Sequence, residues 1–152
     1  MLRILTHPPS QLMKADPCGW NTFFCGAVAR NSITLPHMKW FAAKQVLRDD
    51  TIATAVHTAA SHGRKYQTWD LMNTFPAANL AAAPASDVFM AVWKLDNRFL
   101  LRQAYQQGAF KVGRLADYTM HLQDWHTDMS DDVVDWVAKT LAEERNKIGL
   151  LY

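Results

Sequence analysis

The chain has 152 residues, 49% hydrophobic and 20% charged, with a formal net charge of +2. That is enough for one domain with a real core and matches an ordered globular protein. The near balance of charge, with no basic stripe, disfavours nucleic-acid binding. The N-terminal MLRILTHPPSQLM lacks the long apolar region of a secretory signal, and no apolar run approaches a membrane span. Two cysteines without such a signal indicate free thiols in a reducing cytoplasm.

In chain order, RILT (3–6) is a strand candidate. GWNTFFCGAVARN (19–31) reads as a helix weakened by Gly26. Pro36 suits a first helical position and opens PHMKWFAAKQVL. DDTIATAVHTAASHG (49–63) starts on acidic residues and stops at Gly63. TWDLMNTF reads as a short helix ended by Pro76, and PAANLAAAPAS (76–86) as a helical turn plus connector.

The last third carries the clearest helical signals. Ser86–Asp87 caps DVFMAVWKLDNRFLLRQAYQQ, with Gly108 as its stop. Val88, Val92, Leu95 and Phe99 form one stripe, and Phe89, Trp93, Leu100 and Ala104 a second, so this reads as the central, mostly buried helix. GRLADYTMHLQDWHTDM (113–129) spaces Leu115, Tyr118, Leu122, Trp125 and Met129 helically. The final helix has Ser130 as its cap, Asp131 and Asp132 at its positive end, and Arg145 and Lys147 near its negative end. Its apolar face is Val134, Val137, Leu141 and Ile148, and it stops at Gly149, where GLLY is a second strand candidate. Glu143, Glu144 and Arg145 belong to a solvated face, with Lys139–Glu143 and Glu143–Lys147 as i,i+4 pairs. The expected fold is all-α: a compact single-domain bundle over residues 1–152, with six to eight helices and few or no strands.

ADPCGWNTFFCGAV (15–28) looks the most chemical. Cys18 and Cys25 are seven apart. On one helix that is ~10.5 Å, beyond the roughly 7 Å Cα limit for a disulfide. A zinc site lacks both the close spacing and the further ligands. Cys18 behind Pro17 has the local look of a nucleophile at a helix N-terminus, loosely resembling viral papain-like and ovarian-tumour-type proteases. Those families also need a histidine, usually on a strand, and the segments around the histidines here are helical. The preferred reading of both thiols is therefore structural, with Cys18 kept as the catalytic alternative.

His57/His62 and His121/His126 are each five apart, about 140° around a helix and unsuited to joint metal ligation. Asp117, His121, Asp124 and Asp128 align on one helix face. That face reads first as solvated, and second as an acidic interaction surface docking onto a basic protein. His62, Arg64 and Lys65 form the densest basic cluster and are the nucleic-acid candidate. P-loop, GxGxxG, HExxH and GxSxG motifs are all missing. No cofactor or metal is expected. Among six tryptophans, one or two are expected at an interface.

SQLMKADPCGWNTFFCGAV followed by LPHMKWFAAKQVL resembles small helical phage and mobile-element accessory proteins, with Leu12, Pro17, Cys18, Phe23 or Phe24, and Trp40 in the matching places. Pro-Cys-Gly-Trp departs from that pattern, in which a small residue, cysteine and a later glycine are commoner. The resemblance implies a phage-like origin and no known activity. Together these readings point to a non-enzymatic protein that binds a larger host or virion protein, as an inhibitor or an assembly component. A small cysteine hydrolase using Cys18 is the rival, and self-association stays open.

Overall fold

A computed structural model describes residues 17–83, 86–109, 115–116, 119, 127 and 129–150. Seven helices are fully bounded among the described residues, in order: α1 (Pro17–Ala29), α2 (Leu35–Lys44), α3 (Asp49–Ser61), α4 (Lys65–Thr74), α5 (Val88–Trp93), α6 (Arg98–Gln106) and α7 (Asp131–Leu150). The fold is all-α, with no strand among the described residues. RILT lies outside them, and GLLY is no strand at its start, because α7 runs through Gly149 to Leu150.

Pro17 opens α1, where its missing N–H costs nothing. Trp20, Asn21, Phe24, Ala27 and Val28 are its buried positions, at helical spacing. α1, α3 and α6 end alike, with Asn31 (φ 54°), Gly63 (φ 72°) and Gly108 (φ 83°) in the left-handed region. The residue after each returns its N–H to the helix, Ser32 to Ala27, Arg64 to Ala59 and Ala109 to Ala104. This is the Schellman arrangement, and it favours glycine or asparagine at the left-handed position.

The central helix is α3, not the segment 87–107. It packs against α1, α4 and α5. Its buried face is Thr51, Ile52, Ala53, Ala55, Val56, Ala59 and Ala60, and the alanines let three neighbours approach closely. The single helix expected at 87–107 is two helices. Asp87 caps α5 by accepting Met90 N–H at 3.0 Å. The chain then breaks at Asp96, which is left-handed (φ 50°), and Asn97 caps α6 by accepting Leu100 N–H at 3.1 Å. Asp96 also reaches 34 residues ahead, accepting from Ser130 N at 2.9 Å and Ser130 Oγ at 2.6 Å. The break thus anchors the start of α7, and the Ser130 hydroxyl serves that anchor.

PAANLAAAPAS forms reverse turns rather than a helical turn over its described part, with Ala78 N–H on Phe75 O and Ala82 N–H on Asn79 O. Buried Gln107 pins it, its side-chain Nε2 donating to Met72 O at 2.8 Å and Phe75 O at 3.0 Å and its backbone carbonyl accepting Leu80 N–H. Of the helix expected at 113–129, positions 115, 116, 119 and 127 are described and helical, while Met129 already lies in the bend before α7.

α7 buries Val133, Val137, Thr140 and Glu144, so its inner face is rotated from the expected one and shares only Val137 with it. Val134 and Leu141 sit at the boundary, and the side chain of Ile148 lies outside the described set. Glu144 leaves the solvated face because Tyr105 Oη donates to it at 3.2 Å across the α6–α7 contact. Lys139 pairs with Asp135 at 3.0 Å rather than with Glu143, and the Lys147 side chain also lies outside the described set.

One hydrophobic core draws on all seven helices. Its N-terminal part is aromatic. The Trp20 ring lies 5.4 Å from Trp40 and 5.5 Å from Phe41, and Phe24 lies 5.1 Å from Phe41 and 5.8 Å from Phe75. Beside it, buried Asn21 ties α1 to the α2–α3 connection. Its Oδ1 accepts from Arg48 N at 2.9 Å and from Thr51 Oγ1, and its Nδ2 donates to Val46 O at 3.3 Å.

Candidate interaction surface

Among the described residues, burying the apolar stripes leaves three large rings outside: Tyr66 (89% exposed), Trp69 (38%) and Phe99 (53%). They converge. Lys65, Tyr66 and Trp69 of α4 and Asn97, Phe99 and Leu100 at the start of α6 line one groove of about 290 Å³.

Local structure places each ring. The α3 turn at Gly63 aims Arg64 back at α1, where its guanidinium donates to Val28 O at 2.6 Å and Ala29 O at 3.3 Å. That contact caps the C-terminal carbonyls of α1 and fixes where α4 begins. α4 then buries Thr68, Leu71 and Met72, so Tyr66 and Trp69, three apart, share its outer side. Tyr66 also lines a second groove of about 470 Å³ toward α2, with Ile33, Leu35 and Met38, and so forms a ridge between two hollows. On the opposite wall α6 buries Leu100, Leu101 and Ala104, which turns Phe99 outward. Phe99 therefore leaves the core stripe expected for it, because the break at Asp96 resets the helical phase.

Basic residues border the groove. Lys65 belongs to its lining, Arg98 places its guanidinium 4.8 Å from the Phe99 centroid, and exposed Arg102 stands one turn along α6. None of the three cations is in an ion pair among the described residues, and no carboxylate lines the groove.

The basic cluster His62–Arg64–Lys65 is dispersed. His62 Nδ1 lies 2.7 Å from Thr58 O, Arg64 is held by α1, and Lys65 alone reaches the groove. Asp117, His121, Asp124 and Asp128 lie outside the described residues. Cys18 occupies the second position of α1, and its side chain lies outside the described set. α1 is continuous from Pro17 to Ala29, so the seven-residue spacing holds Cys18 and Cys25 too far apart to bond. Cys25 is a free, half-buried thiol that donates to Thr51 O at 3.7 Å. Burial, and then the Asp50 carboxylate, push its pKa up, which disfavours the reactive thiolate. Buried His37 accepts Thr34 N–H on Nδ1 at 3.3 Å, and His57 Nε2 lies 3.5 Å from Ser61 Oγ. Among the described residues no three His, Cys, Asp or Glu side chains gather at a metal-sized site.

Tyr66, Trp69 and Phe99 were not distinguishable as a site from composition. The available signal was Asp96–Asn97, a capping pair inside an otherwise helical stretch. Comparison with protein-family models, curated proteins and solved structures finds no match to this chain.

Proposed function

We propose that this chain is a non-enzymatic, cytoplasmic protein that binds a larger protein through the Tyr66–Trp69–Phe99 surface. One observation carries the reading: three large rings stay in water around one groove while the same helices bury their other apolar residues. Tyr, Trp and Arg dominate the energetics of protein interfaces, and an exposed apolar cluster with a polar rim is where such partners dock. At about 290 Å³ the groove is at the lower bound for small-molecule sites and suits an anchoring side chain. The resemblance to phage accessory proteins makes a host or virion protein the partner class to look for. No described helix is long and apolar enough to cross a membrane.

The test is affinity capture from lysate with the wild-type chain and a Tyr66→Ala/Phe99→Ala variant. A stoichiometric protein retained by the first and lost by the second is expected. Equal retention by both, or none by either, rejects the reading. The hydrolase alternative draws on the place of Cys18 in the first turn of α1; it predicts iodoacetamide labelling of Cys18 near neutral pH faster than that of a free thiol.

A further inference from the structure

We infer that the groove takes an acidic segment of the partner protein, with one apolar side chain seated between Trp69 and Phe99 and carboxylates on Lys65, Arg98 and Arg102. This rests on the protein-binding reading above and specifies the chemistry of the partner.

Charge is the first reason. Three other cations are engaged within the chain, Arg48 by Asp50 at 3.1 Å, Lys139 by Asp135 at 3.0 Å and Arg64 by the α1 carbonyls. At the groove Lys65 is in the lining, Arg98 lies over Phe99 and Arg102 follows one turn along α6, with no carboxylate among the lining residues. Asp70, on the same helix, lines the hollows on the α2 side instead. A basic rim around an apolar floor complements an acidic segment with an apolar anchor and repels a basic one.

Geometry is the second reason. The Arg98 guanidinium lies 4.8 Å from the Phe99 centroid, so a carboxylate on that arginine brings its neighbouring side chain to the rings. A single-stranded nucleic acid would instead need successive open ring faces beside a continuous phosphate track. Here the Arg98 side chain covers Phe99, and Arg64, which would have extended the track, is bound to α1. The acidic segment is therefore favoured over an oligonucleotide.

The experiment is selection of a displayed random 12-residue peptide library on the intact chain. The best binder is then synthesised in its selected form and with every Asp and Glu replaced by Asn and Gln. Anisotropy of both labelled peptides is measured against wild type, Phe99→Ala and a Lys65→Gln/Arg98→Gln/Arg102→Gln triple variant, with labelled oligo-dT as a parallel probe. Selected peptides should be acidic with an apolar anchor and bind about tenfold tighter than their amide forms, the reach of three exposed charge pairs. The triple variant should remove that difference, and Phe99→Ala should weaken both forms about tenfold. Phe99-dependent peptides that bind equally as acids and amides overturn the acidic partner and leave the protein-binding reading standing. If no peptide depends on Phe99, both readings fall. Oligo-dT binding in preference to the peptides, or self-association by sedimentation that Phe99→Ala abolishes, assigns the groove to a nucleic acid or to a second copy and overturns the inference.

Discussion

Among the described residues, the aromatic cluster around Trp20 and the one around Trp69 obey opposite rules. The rings of Trp20, Phe24 and Phe41 are fully buried and meet one another, half-buried Trp40 and buried Phe75 edge-on or tilted, with centroids 5.1–5.8 Å apart. Around Tyr66, Trp69 and Phe99 the rings come from two helices whose inner faces are already filled by Leu71, Met72, Leu100 and Leu101. In the first cluster ring burial stabilises the fold; in the second the rings keep apolar surface in water, which is the surface the proposed partner would cover. The difference teaches that aromatic content alone does not separate core from interface. Which helix face a ring occupies does, and a break in the chain can change that face.

Mutations can break this contrast. The largest effect is expected inside: Phe24→Ala should destabilise by about 3–5 kcal/mol, since a fully buried ring leaves a cavity beside Phe41 and Phe75. Chemical denaturation measures it. Asn21→Ala should cost about 2–3 kcal/mol in the same assay, because Arg48 N–H and the Thr51 hydroxyl lose their buried acceptor. Asn97→Ala should cost about 1 kcal/mol through loss of the α6 cap. It also loosens the helix start that presents Phe99, so Trp69 emission offers a second readout. Tyr66→Ala and Phe99→Ala should each change stability by no more than about 0.5 kcal/mol while abolishing partner capture. A large loss of stability in those two would place the outer rings in the core and erase the distinction.

Acid should probe the inner region selectively. His37 is buried, and accepting Thr34 N–H on Nδ1 requires a neutral ring. Desolvation lowers its pKa in the folded state below the ordinary 6.5. As pH falls below 6.5 the unfolded chain takes up the proton first, so this contribution to stability is lost toward the lower folded-state value. Urea midpoints at pH 7.5 and 5.5 should differ more for wild type than for His37→Gln, while partner or peptide binding at the outer groove should be unaffected by that substitution.

Much of the helical layout was legible because its signals are local. Pro17 and Pro36 near helix starts, Asp49 and Asp50 in a first turn, and Gly63 and Gly108 past helix ends act through a few neighbouring backbone groups. The inner face of α7 was misread because Val134 and Leu141 are as apolar as Val133, and nothing within the helix says which side meets Tyr105. The candidate surface was hidden for a related reason. Val88, Val92, Leu95 and Phe99 keep perfect helical spacing across a helix that stops at Trp93.

By itself, then, the sequence determined the helical class and most helix ends, because caps, left-handed stops and apolar stripes are short-range properties. Only the tertiary structure decided that the chain breaks at Asp96, that α3 rather than 87–107 is central, and that Phe99 faces water beside Tyr66 and Trp69. The physical reason lies in partners far apart along the chain. Asp96 turns left-handed while holding Ser130, and Arg64 sets the start of α4 from the end of α1.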